Sequence, residues 1–440
     1  MLLTGCSLEN YKEEHQLTKD LSYNHDLDNN DNFSPDDLWL VYDTRTEEGG
    51  IGANGKIEKV NVGTGKKEIV YQLEQNQFYG PGVGAASYSH TDDQVIFIHG
   101  LLNCSPDRPY EQWRRSGAII KDGQAKKPIF MDARDISYPF TPGALRGGTH
   151  RHEFSGDGQW IGYTYNDEPL KKIEDATGYP YNLRTIGVSK KNIGVLVSNP
   201  ISGEEFSGEW FSSIVVAVVP SPAPGTDQIS RAAGDSWIGR EGYRKKDGTL
   251  QRARAFIGTV RNKGGEAVDE VFVVDIPEDI GIAGDGPLEG TPSTMPSPPK
   301  GSLQHRLTYT ADTEFPGCEG IVRSSSDGST LAFLAKDSQG IKQVFTIPTL
   351  GGKPTQRTFH SSHVQGYMRW HPKNNGLIYV WENALVYLKI GEANGKILTP
   401  PSQIPLTNPV WSHQGDKIAY NRSLTDENGK TSKQIFLINF

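Results

Sequence analysis

A short unit recurs along this 440-residue chain: an aromatic, a small polar turn, then an apolar alternating strand. It reads Phe33-Ser34-Pro35-Asp36 before LWLVYD, Tyr88-Ser89-His90-Thr91-Asp92 before QVIFIHG, and Phe154-Ser155-Gly156-Asp157-Gly158 before QWIGYTYND. It returns as Ser325-Ser326-Asp327-Gly328 before STLAFLAKD, Trp370-His371-Pro372 before GLIYVWEN, and Trp411-Ser412-His413-Gln414-Gly415 before DKIAYNRS. Asp and Gly tolerate the positive φ that a tight hairpin turn needs. A second strand pair usually follows, as in KIEKVNVGTGKKEIVY, EVFVVDIPE, QVFTIPTLGGKPTQRT and QIFLINF. Repeats of about 40 residues built this way are blades of a β-propeller.

The segment from Glu204 to Pro277 fits one more blade, with SSIVVAVV and RARAFIGTV as its inner strands. The expected fold is therefore all-β, a single propeller of about seven blades, with six as the alternative. The loop GDGPLEGTPSTMPSPPKG is too proline-rich for a strand interior and reads as an excursion between blades. Residues 31–440 form the propeller and residues 1–30 a flexible tether, because SLENYKEEHQLTKDLSYNHDLDNND is polar and acidic. The 49 glycines and 27 prolines suit a chain of many turns. A net charge of -8 without any basic tract argues against nucleic acid as a partner. A monomer is expected.

The three cysteines are Cys6, Cys104 and Cys318, with no CxxC spacing for a zinc knuckle. Leu2-Leu3-Thr4-Gly5-Cys6 resembles a bacterial lipobox. That resemblance implies lipidation at Cys6, a periplasmic or cell-surface location, and membrane contact only through the anchor. If LTGC is fortuitous, the protein is cytoplasmic.

The candidate site lies in TPGALRGGTHRHEFSGDGQW, residues 141–160. Phe154 opens a repeat turn, so residues from about Thr149 to Phe154 form an inner strand lining the channel. Side chains at i and i+2 share a face, which puts His150 and His152 together. Two imidazoles there suit one shared metal or one substrate atom, or they hydrogen-bond across the channel or pack between blades. Gly147 and Gly148 allow a ligand close to the backbone, and Arg146 adds a fixed cation. His363 and Gln365 precede a later inner strand and are candidates to complete a metal set. Arg146 and Arg184 are candidates to grip a carboxylate, or else form salt bridges to Asp132, Asp135 or Asp167. Tyr165 is a candidate catalytic group, and His99, Trp113 and Trp210 are candidate substrate contacts. His90, His371 and His413 fall in the repeat turn, at the far end of their strands, and are set aside as ligands. No GxSxG, GxxxxGK[ST] or HExxH motif is present.

The repeat resembles the TolB-like propellers. FIHG, TPGALRGGTHRHEFSGDG, YTYND, NLRTIGV, PSPAPGTDQISRA and GDGPLEGT resemble a bacterial TolB-related family of unknown function. A wider resemblance is to propeller-fold polysaccharide lyases, the oligogalacturonate lyases and some ulvan lyases. It implies a divalent metal (Mn, Zn or Ca) at the His-x-His, although Gly147 stands where those lyases carry glutamine. The expected function is β-elimination at a uronic acid of an anionic oligosaccharide, as a lyase or a dehydratase. The alternatives are a non-catalytic binder of protein or glycan, and a glycoside hydrolase drawing on Glu205, Glu209, Asp132 and Asp135.

Overall fold

The computed structural model describes residues 11–28, 31–123, 128–392 and 395–440. Seven sheets follow one another around a ring. Blade 1 holds Trp39–Asp43, Lys56–Asn61 and Lys67–Gln72, with an irregular inner edge bridged at Phe33–Leu40 and Asp26–Asp43. Blade 2 holds Val83–Tyr88, Gln94–Gly100, Arg115–Lys121 and Ile129–Phe130. Blade 3 holds Gly147–Phe154, Trp160–Asp167, Thr185–Lys190 and Phe211–Ile214. Blades 4, 5 and 6 begin with the inner strands Ala232–Trp237, Cys318–Ser324 and Gly366–Trp370. Blade 7 begins with Leu406–Trp411 and ends with Thr431–Asn439, outside which lies His15–Gln16. The seven-bladed expectation holds.

The repeated turn explains itself atom by atom. In blade 3 the Ser155 backbone N–H donates to Trp160 O, and Ser155 Oγ donates to Asp157 and accepts from Trp160 N. Blade 5 repeats this with Ser325, Asp327 and Thr330. Gly158, Gly328 and Gly415 take φ of 68°, 74° and 74° to close it. Between blades the strands bury their apolar faces. Ile96 and Ile119 of blade 2 pack on Phe154, Tyr163, Tyr165 and Trp210 of blade 3. Each such side chain contributes about 1.5–3 kcal/mol when fully buried.

Three sequence expectations meet a different structure. The tether from residue 11 to 28 is not loose; it is the seal of the ring. The last strand of blade 7 would otherwise present an open edge, and His15–Gln16 pairs with Leu437 and Phe436 there. Leu17 N donates to Ile435 O at 2.8 Å and His25 N to Lys433 O at 2.9 Å. Polar residues suffice because the pairing is made by backbone, which composition does not register. SSIVVAVV supplies the outermost strand of blade 3, and RARAFIGTV the second strand of blade 4, whose inner strand is Ala232–Trp237. The proline-rich loop interrupts blade 4 between its third and fourth strands. Cys104 and Cys318 are free thiols. Cys6 lies outside the described residues. Among those described, no helix is long and apolar enough to cross a membrane.

Asn421 joins both ends of the chain. Its Oδ1 accepts Leu27 N at 2.9 Å and its Nδ2 donates to His25 O at 2.7 Å. Both contacts are buried, and each orphaned buried group costs about 1–3 kcal/mol. Asn421→Ala is therefore expected to lower unfolding stability by about 3 kcal/mol, read from the urea midpoint. An unchanged midpoint would show that the seal does not stabilise the ring.

Candidate functional site

The inner strands share one irregularity. Ala85, Arg151, Gly234, Gly320, Tyr367 and Asn408 have φ of 52°, 56°, 64°, 85°, 57° and 53°. Each coincides with a register shift against the neighbouring strand. These are β-bulges, in which an extra residue breaks the two-residue alternation. Four of the six are not glycine, a conformation that costs about 1–3 kcal/mol and persists only where surroundings enforce it.

The bulge separates the two histidines. His150 is half-buried and lines a pocket of about 370 Å³ at the channel mouth. His152 is fully buried, with Nε2 2.8 Å from Thr149 Oγ1 and its ring 6.0 Å from that of Tyr163. It packs against Gly117 of blade 2, where a Cβ would collide with its ring. Arg151, between them, turns into the same pocket as His150. The His-x-His thus becomes a His-Arg pair at the mouth.

The same pocket is lined by Arg323 of blade 5, Tyr367 and Arg369 of blade 6, and Asn408 of blade 7. Burial pushes His150 well below the ordinary histidine range, and the guanidinium groups of Arg115, Arg184 and Arg151 push the same way. It is a neutral imidazole at neutral pH, and its buried Nδ1 has no hydrogen-bond partner. Burial and the nearby Arg115 and Arg231 lower Arg184 to about 10. Burial and Arg151 lower Arg369 to about 10. In that lining Arg151, Arg323, Lys342 and Arg369 outnumber the carboxylates of Asp28 and Glu319, a balance that favours an anion beside the neutral base. Deeper in, Glu153 meets Arg254 at 3.1 Å and Arg323 at 3.9 Å.

The other sequence candidates divide cleanly. Arg184 sits beside His150, holding Asn166 Oδ1 and Gln112 Oε1 at 3.2 Å each. Gln365 lines the pocket, but its amide is engaged with Asn383. Trp113 is half-buried with Lys171 Nζ 5.2 Å above its ring. Arg146 is not a substrate grip. It is buried, bound to Asp167 at 2.7 Å and to the carbonyls of Thr291 and Thr294 at 2.5 Å. Tyr165 is spent on the same carboxylate, its hydroxyl donating to Asp167 Oδ2 at 2.9 Å. His99 is buried between Tyr71 and Gly100 O, and Trp210 is buried against Phe154. His363 is exposed, its Nδ1 accepting from Lys342 N. Gly147 and Gly148 admit protein backbone, not ligand: Cβ atoms there would strike Asn166 O and Gln112 O.

A metal set does not assemble. Among the described residues no three His, Cys, Asp or Glu side chains gather to hold an ion. His150 is moreover ringed by guanidinium groups, which repel a cation. Three of the four carboxylates offered for hydrolysis are also committed, Asp132 to Ser116 Oγ, Glu205 to Ser137 Oγ and Asp135 to Thr141, and the fourth, Glu209, is exposed.

Sequence reading missed Arg151, Arg323, Tyr367 and Arg369. A signal was present. In blades 2, 3, 4, 6 and 7 the bulge stands three residues before the aromatic that ends the inner strand: Tyr88, Phe154, Trp237, Trp370 and Trp411.

Comparison with known proteins agrees with the fold. Residues 82–202, spanning blades 2 and 3 around His150, match the family described as "Protein of unknown function (DUF3748)". The chain is 36% identical over 377 residues to "Uncharacterized protein YidR" of Escherichia coli (strain K12), covering 82% of this chain and 83% of that one. It belongs to the YidR family. A solved oligogalacturonate lyase in complex with manganese superposes with a TM-score of 0.54 at 11% identity, over 98% of this chain and 94% of that one. A putative TolB from Agrobacterium tumefaciens gives 0.39 at 13% identity, over 88% and 98%. The likeness to the lyase is one of fold.

Two predictions follow from burial. Arg146→Met leaves Asp167 charged and unpaired, and should cost about 3–5 kcal/mol of stability. The check is denaturant unfolding; a neutral effect would return Arg146 to the list of ligand contacts. The second concerns acid. Burial lowers His152 from 6.5 to about 3, so only the unfolded chain takes up its proton over that range. The stability it confers is complete above pH 6.5 and lost progressively toward pH 3. His152→Gln should flatten the acid limb of stability against pH, measured by urea titrations across that window.

Proposed function

We propose that this YidR-family protein binds uronic-acid-containing oligosaccharides at the channel mouth and breaks them by β-elimination. The observation that carries this reading is a neutral, unpartnered imidazole, His150, set among Arg115, Arg151 and Arg184. β-Elimination needs those two things together. The guanidinium groups neutralise the uronate carboxylate and stabilise the enolate-like charge that grows on it. The His150 imidazole takes the C5 proton, the electron pair forms the C4–C5 double bond, and the C4–O bond breaks. Tyr367, whose hydroxyl burial keeps protonated, faces the pocket and supplies a proton to the leaving oxygen. If that oxygen belongs to a sugar, the enzyme is a lyase. If it is a hydroxyl at the non-reducing end, the enzyme is a dehydratase. The arginines occupy the electrostatic role that a metal would fill, and the donor set around His150 does not suit a cation.

The fold shared with oligogalacturonate lyase is compatible with this chemistry but does not carry it. The lipobox-like LTGC fits an exported, lipid-anchored enzyme of glycan breakdown, with the anchor at Cys6.

Incubation with a panel of uronic-acid oligosaccharides tests the proposal directly. The product's double bond is conjugated with its carboxylate and absorbs in the ultraviolet, whereas hydrolysis products do not. Wild type should generate that absorbance, and His150→Ala should lower kcat by about 10²–10⁴-fold while unfolding at the same temperature. Binding without any absorbance would establish a non-catalytic module instead. No response to a broad panel, with His150→Ala indistinguishable from wild type, would sink the idea.

A further inference from the structure

Two arginines stand side by side at the seam between blades 3 and 4. Arg184 precedes the third strand of blade 3, Thr185–Lys190, and Arg231 precedes the inner strand of blade 4, Ala232–Trp237. The Ala232 backbone N–H donates to Arg184 O at 2.9 Å, which fixes the two residues as neighbours across the seam. Both lie at the mouth end of their strands. Tyr165 is paired with Thr149 on one side and Thr185 on the other. The backbones beside His150 and Arg184 are therefore two strand spacings apart, about 10 Å. That is the scale of a disaccharide.

No carboxylate stands between these cations. Among the described residues neither Arg184 nor Arg231 forms an ion pair. Arg184 is held by neutral amides only, Asn166 Oδ1 and Gln112 Oε1, and Arg231 is exposed. The acids of blade 4 are engaged elsewhere. Asp235 accepts Arg254 Nε at 2.8 Å, Asp269 accepts the Thr259 hydroxyl at 2.5 Å, and Asp227 faces Arg306 at 3.5 Å. Like charges held together this way favour an anion between them. Their repulsion is visible in Arg184, which Arg115 and Arg231 both help to lower. The charges acting on His150 are those of Arg115, Arg184 and Arg151. Arg231 thus extends the cationic arc outward from the base, by way of Arg184.

We propose that Arg184 and Arg231 form a second anion subsite, which grips an acidic group on the sugar next to the reacting uronate. This rests on the reading of His150 as the base at the channel mouth. Arg115 and Arg151 remain for the reacting carboxylate, and Arg184 joins the two subsites. The substrate is then an oligosaccharide with acids on adjacent sugars, not one in which uronates alternate with neutral sugars. Carboxylate and sulfate both suit a pair of guanidinium groups.

Calorimetric titration with three tetrasaccharides is the test. Tetragalacturonate carries a carboxylate on every sugar, chondroitin 4-sulfate a sulfate between its uronates, and unsulfated chondroitin a neutral sugar there. Wild type should bind unsulfated chondroitin more weakly than at least one of the other two, by about 10-fold. Arg231→Gln, at an exposed position, should remove most of that preference, and in turnover it should raise KM far more than it lowers kcat. A preference for tetragalacturonate alone assigns a carboxylate to the subsite, and one for the sulfated chain alone assigns a sulfate. Equal affinity for all three, or an Arg231→Gln loss as large for unsulfated chondroitin as for the others, overturns the proposal. Binding is read without turnover, so the two readings fail separately. Preference without ultraviolet absorbance leaves the subsite and removes the elimination, absorbance without preference does the reverse, and no binding at all removes both.

Discussion

One extra residue in five of the inner strands, and two in a sixth, decide what the channel mouth is made of. A regular strand presents alternate side chains, and its successive faces belong to the channel and to the neighbouring blade. The bulge resets that alternation partway along, so adjacent residues such as His150 and Arg151 both reach the pocket. The residue after them, His152, is returned to the interface between blades 2 and 3. The cost is a left-handed backbone at Arg151, Tyr367 and Asn408, where glycine would be the unstrained choice. At Gly234 and Gly320 the chain uses glycine and places no side chain. Ala85 carries the same backbone without a functional side chain, so the strain belongs to the bulge, and at Arg151, Tyr367 and Asn408 it coincides with a polar group in the pocket.

That scaffold has two kinds of polar interior. One is closed: Arg146 with Asp167 and Tyr165, and Arg134 with Glu168 and Glu204, satisfy one another and support the loops over blades 2 and 3. The other is rich in cations: Arg115, Arg151 and Arg184 crowd a neutral histidine, Arg369 lines the same pocket, and burial depresses Arg184 and Arg369 together. Closed networks lock geometry. A site where cations outnumber carboxylates favours the opposite charge in what it binds. The stretch matched by the protein family, 82–202, carries both kinds side by side.

Much of the architecture was legible because it is written in a period. Phe33, Tyr88, Phe154, Trp370 and Trp411 mark the turns, and the alternating strands after them lie where their spacing puts them. Legibility failed where backbone, not side chains, does the pairing. The polar segment 11–28 has no apolar pattern, yet its amides close blade 7. In blade 4 the apolar run SSIVVAVV looks like a core strand but is an outer one, because long insertions hide where the unit begins. The site was half legible. His150 and Arg184 belong to it, whereas Arg146, His152, Tyr165, His99 and Trp210 are buried in packing. From sequence a buried arginine and a channel arginine look the same; the difference is whether a carboxylate waits within reach.

By itself the sequence determined the repeat and the strand type and narrowed the blades to seven or six, since turn chemistry and alternation are local properties. It also placed histidines at both ends of the inner strands. Only the tertiary structure decided which of them act together. His150 and His152 are two residues apart and face different neighbours, because a bulge lies between them. His90 and His413 are separated by most of the chain and lie 3.3 Å apart, because the closed ring brings blades 2 and 7 to either side of blade 1.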